Sequence, residues 1–322
     1  MSTDCVVKPA DRRSLGRTGL QVSPVCIGTS PLASMPALYG YEVDQERAEA
    51  TILATFGGPF NFMDTSNNYG GGTAERRIGR ALAAVGGTPE GFVLATKVDA
   101  DPVSGGFSGD RVRRSAAESL ERLGLDRVQL MYLHDPEYHL TFAEAMAPGG
   151  PVRALTELRD RGLLGHLGIA GGPVGLMRDF IATGEFEVVL SHNRFTLVDR
   201  SAGPLMDDAC QRGVAFVNGA PYGGGMLAKG PDVQPKYAYR LAGEAVRDAV
   251  RAMQRACAGY GVSLAAAALQ FSLGDPRVTS TVVGVSEPSR IGEITALMSE
   301  QIPAGLWAEL DSLAVAPGHW LN

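Results

Sequence analysis

Short apolar runs recur along the chain, and each is followed by a loop and then by apolar residues at helical spacing. The runs fall at 22–28, 60–64, 92–97, 128–133, 166–170, 186–190, 214–217 and 279–283. Each has strand length and strand composition. The intervening helical stretches read as 44–56 with Asp44 as N-cap, TAERRIGRALAAV capped by Thr73, 110–123 stopped by Gly124, 151–161 ended by Gly162, 174–182, 203–211, 240–258 with 263–272, and 288–299. Residues 303–313 predict one more short helix. Ahead of the first run, a turn at Arg17-Thr18-Gly19 predicts a β-hairpin.

Eight strand–helix repeats with no Ser/Pro-rich linker imply parallel pairing in one domain over 1–322. The expected fold is α/β, a single closed (β/α)8 TIM barrel with an N-terminal β-hairpin. No GxGxxG follows the first strand, as an open dinucleotide-binding sheet requires.

Three successive runs end in a polar residue: Asp64 in FNFMDTSNNYG, Lys97 in GFVLATKVD and His134 in VQLMYLHDPE, with Tyr69 in the loop after the first. In a parallel barrel all C-terminal strand ends share one mouth, where catalysis sits. An acid, a phenol, an amine and an imidazole would meet there. Hydride transfer at a carbonyl carbon also moves a proton on the oxygen. A phenol can carry it, but its free pKa of about 10 is too high, and a nearby ammonium would lower it. A carboxylate holds the ammonium, and a neutral imidazole orients the carbonyl oxygen.

DTSNNYG, ATK and YLHDP, in that order on strands two, three and four, resemble the aldo-keto reductase superfamily, and the likeness extends to RTGLQVSPVCIGT and over nearly the whole chain. The resemblance implies an NAD(P)-dependent oxidoreductase with Tyr69 as general acid/base, Lys97 tuning it, Asp64 holding Lys97 and His134 positioning the substrate oxygen. It implies a nicotinamide cofactor extended across the mouth, touching Gly28, Thr29 and Asp64. APYGGGMLAKG resembles the family's pyrophosphate loop, which assigns Ala220, Pro221, Tyr222, Gly223, Gly225 and Leu227 to the cofactor. GVSEPSRIGE resembles the adenosine-gripping segment, with Gly284, Ser286, Arg290 and Glu293 in place.

Three positions depart from the family pattern. Gly284-Val285-Ser286-Glu287 lacks the cation that NADP-preferring members carry before Arg290, so NAD is expected, with Arg290 keeping NADP open. The usual nicotinamide-binding Gln is replaced by His192 or Asn193, of which Asn193 is assigned to the cofactor. Ala170-Gly171 stands where a Ser-Asn pair is usual.

HDPEYH and NRFTLVDR resemble the branch of sugar 1-dehydrogenases (L-fucose, D-threo-aldose, L-galactose) and pyridoxal 4-dehydrogenase. That implies oxidation of a cyclic hemiacetal, an aldose, to its lactone. The alternatives are pyridoxal oxidation to 4-pyridoxolactone, a general NADPH aldehyde reductase, and a cofactor-sensing binding protein without turnover.

Singly, each of the four residues has an ordinary explanation: a helix cap for Asp64, a loop anchor for Tyr69, a surface lysine, a core histidine. Their order and their places at strand ends favour the chemical reading. Tyr39, Tyr138 and Trp320 are candidates for the substrate pocket, with packing roles equally open. His134, Asp135, Glu137 and His139 suggest a metal site, but Pro136 interrupts any helical His-x-x-x-His face, and no metal is expected. The Arg and Glu alternation in 111–122 reads as a solvated helix face.

The net charge of −6 argues against a nucleic-acid surface. No apolar run has transmembrane length, MSTDCVVKPADRR lacks a signal-peptide core, and Cys5, Cys26, Cys210 and Cys257 form no CxxC. These features imply reduced thiols, a cytoplasmic protein, a small-molecule carbonyl or hemiacetal partner, and no membrane or nucleic acid.

Overall fold

Eight parallel strands pair in chain order, and the last closes on the first in a computed structural model that describes residues 7–321. They are β1 (Val25–Gly28), β2 (Phe62–Asp64), β3 (Val93–Val98), β4 (Val128–His134), β5 (Leu164–Gly171), β6 (Val188–His192), β7 (Ala215–Gly219) and β8 (Val278–Gly284). β8 pairs with both β7 and β1, so the sheet is a closed barrel. Helices such as Gln45–Phe56, Thr73–Val85, Gly109–Leu123 and Pro151–Asp160 wrap its outside.

The barrel builds its mouth by strand alternation. Phe62, Val93, Ala95, Leu130 and Tyr132 belong to an inner apolar cluster, whereas Ile27, Met63, Leu94, Met131 and Leu133 pack outward against the helices. Side chains two residues apart share a face. The inner face of β2 therefore runs from Phe62 to Asp64, that of β3 from Val93 through Ala95 to Lys97, and that of β4 from Leu130 through Tyr132 to His134. Each inner file passes from dry core to polar rim at the same end.

The predicted hairpin pairs Arg13–Ser14 with Gln21–Val22. Its Leu15 and Val22 join the inner cluster and plug the opposite end of the barrel. Val22 thus belongs to the hairpin and not to the first barrel strand; Ser23-Pro24 separates the two, and proline has no N–H for a ladder.

Other boundaries move for local reasons. β6 and β7 reach His192 and Gly219, two residues further toward the mouth than the apolar runs alone indicate. Residues 240–241 pair with Lys236–Tyr237, and the helix begins at Glu244. Asp44 caps its helix by accepting from Arg47 N–H. Thr73 does not cap: Gly72, at φ 83°, takes the cap position and the Thr73 hydroxyl donates to Gly70 O. Cys26 and Cys257 are buried and Cys210 is exposed, all free; Cys5 lies outside the described residues. No single helix among the described residues is long and apolar enough to cross a membrane.

Candidate active site

Among the described residues, six that are not glycine carry positive φ: Ser34, Asp135, Asn193, Ala220, Ala238 and Tyr239. All six lie on segments that leave the C-terminal ends of β1, β4, β6 and β7. Left-handed backbone is costly for a side-chain-bearing residue and concentrates where a site imposes it. The mouth is therefore the end of the barrel under constraint.

The four residues singled out in the sequence meet there. Lys97 Nζ donates to Asp64 Oδ2 at 2.6 Å, to Thr65 O at 2.7 Å and to the Tyr69 hydroxyl at 3.0 Å. Nζ also lies 4.6 Å from the Tyr69 ring centroid. The His134 ring stands edge-on to Tyr69, centroids 6.0 Å apart. Thr29 fixes the far side of Asp64, its N–H and hydroxyl both donating to Asp64 O.

Lys97 donates to the Tyr69 oxygen, and the net direction on the buried phenol is upward. Burial, followed by the charges of Asp64, Asp135 and Asp99, pushes it well above its ordinary value. Burial also raises the Asp64 carboxyl, against the opposing pull of Lys97.

Sequence reasoning missed a second set of groups. His134 Nδ1 lies 2.6 Å from Asp99 Oδ1, and Ser66 Oγ donates to Asp99 Oδ2. The signal was present: Asp99 follows Lys97 by two residues on the same strand face, and β3 pairs Val98 with Leu133, which sets Asp99 beside His134. Arg111, expected on a solvated face, is buried, donating through Nε to Asp99 O and pairing with Glu118. The rim also gathers Asp135, Glu137 and His192, whose polar atoms lie within 4.8 Å of one another, without His139. His192 Nε2 is 3.6 Å from Asp135 Oδ1, too long for a direct hydrogen bond. Asp135 Oδ1 and Glu137 Oε2 are buried atoms with no hydrogen-bond partner.

The substrate candidates separate. Tyr39 donates to Ser30 Oγ and sits near Tyr239 and Tyr69; burial first, then these neighbours, raises its phenol. Tyr239 joins the mouth without a sequence signal, carried in by the left-handed turn after β7. Tyr138 is 66% exposed on the loop after β4. Trp320 donates its indole N–H to Val315 O within its own C-terminal segment.

Buried polar atoms without partners also test whether a nicotinamide nucleotide fits. Asp64 Oδ1, Asn193 Oδ1 and the Tyr222 hydroxyl are such atoms, on the loops or ends of β2, β6 and β7. Gly223, Gly224 and Gly225 all have positive φ, and a Cβ on Gly223 would lie 2.2 Å from the Tyr237 ring. Gly28 and Gly284 face each other across the β1–β8 pair. Tyr222 lies near Arg290, which pairs with Glu293. Unfilled donors and acceptors around a glycine-built turn match the polar demands of such a ligand.

Residues 24–315 match the model of the aldo/keto reductase family. The chain is 32% identical to L-galactose dehydrogenase of Arabidopsis thaliana, over 91% of this chain and 90% of that protein. It is 29% identical to pyridoxal 4-dehydrogenase of Microbacterium luteolum, over 95% and 98% of the two. An aldo-keto reductase of Bacillus halodurans, solved in its holo form, superposes with a TM-score of 0.77 at 21% identity, over 96% of this chain and 99% of that one.

Proposed function

The chain belongs to the aldo/keto reductase family and is an NAD(P)-dependent oxidoreductase, and on that premise we propose that it oxidises a cyclic hemiacetal, an aldose above all, to its lactone. The observation that carries this reading is the buried chain Asp64–Lys97–Tyr69 meeting His134 at one mouth. Tyr69, held by Lys97, and His134 grip the reacting oxygen between them. Asp64 neutralises Lys97 in a site where an unpaired ammonium would be costly. A bound nicotinamide supplies the acceptor for the hydride.

Gly28, Thr29, Asp64 and Asn193 hold the nicotinamide end of the cofactor, with the 220–227 loop at the pyrophosphate and Gly284, Ser286, Arg290 and Glu293 at the adenosine. The cofactor is NAD. Among the four residues from Gly284 to Glu287 none is cationic, and the Arg290 guanidinium is already paired with Glu293. A sugar suits the mouth because Asp135 Oδ1 and Glu137 Oε2 are acceptors awaiting hydroxyl donors. Pyridoxal oxidation is the second reading, favoured by the relative that matches almost end to end.

Purified protein with NAD, then NADP, should raise the reduced-nicotinamide absorbance on L-galactose, L-fucose or D-arabinose, and Tyr69→Phe should abolish it. Turnover confined to pyridoxal selects the second reading. Reduction of simple aldehydes with no oxidation of either class overturns both.

A further inference from the structure

We propose that Asp135 is a specificity-determining residue whose carboxylate takes the hydroxyl on the carbon beside the anomeric centre, so that the substrate class is a 2-hydroxy hemiacetal. The inference rests on the dehydrogenase reading and adds to it which hydroxyl is read and by which group.

Backbone conformation brings Asp135 to the mouth. Strand alternation would turn the residue after His134 away from it. Asp135 instead has φ 45° and leaves the alternation. Its N–H donates to Ala170 O at 2.7 Å, and its carbonyl accepts from Tyr138 N–H at 3.3 Å. The carboxylate comes back beside the catalytic histidine, with Oδ2 3.6 Å from His134 Nε2 and the side chain 30% exposed.

That distance selects the hydroxyl. Asp99 and Ser66 occupy His134 Nδ1, at 2.6 and 3.2 Å, so Nε2 is the ring nitrogen that meets the reacting oxygen, with the Tyr69 hydroxyl on the other side. An oxygen hydrogen-bonded to Nε2 stands about one further hydrogen-bond length from an oxygen bonded to Asp135 Oδ2. Gauche oxygens on adjacent sugar carbons have that spacing. The hydroxyl that reaches Oδ2 is therefore on the next carbon.

The polarity of the pocket agrees. Burial pushes the Asp135 carboxyl up, but His134, His192 and Lys97 outweigh burial and hold it well below the usual carboxylate range. It is an anion that only accepts, and a hydroxyl can only give to it. Its other oxygen, Oδ1, has no hydrogen-bond partner and lies 3.6 Å from His192 Nε2. The Asn193 amide nitrogen donates to His192 Nδ1 at 3.2 Å, which leaves the ring hydrogen on Nε2. Glu137 completes this side: Oε1 accepts from Gly172 N–H at 2.6 Å, and Oε2 is unpartnered. A Cβ on Gly171 would lie 2.7 Å from Glu137 Oε2, so glycine at this strand end is what admits the carboxylate. A sugar oxygen beside Asp135 thus meets two acceptors and one donor. That suits a hydroxyl and repels a carbonyl or an anionic oxygen.

The test compares kcat/KM with NAD for L-fucose against 2-deoxy-L-fucose, and for D-arabinose against its 2-deoxy form. The wild type should favour each parent by about 100-fold, the scale of one hydrogen bond to a charged group. Asp135→Gly, which accepts left-handed backbone, should bring that ratio close to one. Asp135→Asn keeps a neutral acceptor about half as strong and should leave a ratio of about tenfold. A ratio taken within one protein cancels whatever both sugars feel alike, in folding, cofactor binding or the state of His134. Aldose oxidation that is indifferent to the 2-hydroxyl overturns the inference and leaves the proposed function standing. A ratio unchanged in both variants also overturns it, and Asp135→Asn decides alone if Asp135→Gly does not fold. If no aldose turns over, NMR titration of the NAD-loaded protein with L-fucose and 2-deoxy-L-fucose decides. Binding that prefers L-fucose, with a preference lowered in Asp135→Asn, keeps the subsite and sinks the proposed function; no binding, or no such preference, sinks both.

Discussion

Lys97 Nζ lies 2.6 Å from Asp64 Oδ2, and the two side chains are only 1% and 5% exposed. The pair is expected to matter more for its integrity than for its net strength. Lys97→Met strands a buried carboxylate, and removing one member of such a pair costs about 3–5 kcal/mol. Replacing both, as Lys97→Met with Asp64→Leu, should cost much less than the two single changes added together. Urea unfolding of the four proteins measures this. A loss below about 1 kcal/mol in Lys97→Met would remove the pair from the account.

The raised His134 pKa sets the direction of the pH profile. On the reading that a neutral His134 orients the reacting oxygen, kcat/KM for oxidation should climb as pH rises through that value, above 6.5. Burial and the charges of Asp64, Asp135 and Asp99 push the Tyr69 phenol above its ordinary 10, so an inflection from that phenol should fall on the alkaline side of 10. For stability the sign is that of any raised histidine: the His134 contribution is whole below the unfolded value and is lost as pH rises through the folded one. An inflection at or below the phenol's ordinary 10 would show that Lys97 outweighs burial at Tyr69.

Cofactor choice is expected to turn on the segment before Arg290. Glu287 is exposed and would face the 2′-phosphate of NADP with its own negative charge. Glu287→Lys should improve kcat/KM with NADP by about tenfold, roughly 1.4 kcal/mol, because it adds a charge-assisted hydrogen bond and removes a repulsion, with NAD little affected. Steady-state kinetics with both cofactors checks it, and a wild type that already prefers NADP would reverse the assignment.

Gly79 sits inside the helix Thr73–Val85, where alanine is ordinarily better by roughly 0.5–1 kcal/mol. Here a Cβ would lie 2.1 Å from the Arg122 carbonyl oxygen at the end of Gly109–Leu123. Backbone cannot yield as a side-chain tip does. Gly79→Ala should therefore lower stability by about 1–3 kcal/mol despite the better helix propensity of alanine. A raised melting temperature would show that the two helices can part.

The barrel and its four polar strand ends are legible in the sequence because both depend on local pattern. Apolar runs of strand length mark the staves, and period-two alternation carries Phe62 to Asp64 and Tyr132 to His134. The same alternation points from Lys97 to Asp99, but only the register with β4 shows that Asp99 reaches an imidazole. Arg111 reads as solvated because helix charge patterns do not reveal a guanidinium that folds inward to a carbonyl. Tyr239 and Asp135 depend on left-handed turns in loops, whose shape tertiary contacts decide. Thr73 suits a cap by its type, yet a glycine already in the left-handed region takes the place.

The hairpin at the closed end binds the two extremes of the barrel together. Arg13 Nη1 donates to Val278 O, across 265 positions of chain, and Thr281 N–H donates to Pro24 O. The first stave is made early and its neighbour on one side is made last. During synthesis β1 must carry a bare edge until nearly every other element has left the ribosome. The cylinder therefore cannot shut progressively. It shuts once, at the end, and contacts that span so much sequence form slowly. An exposed edge held for that long is the place where a nascent chain of this protein would first need a chaperone.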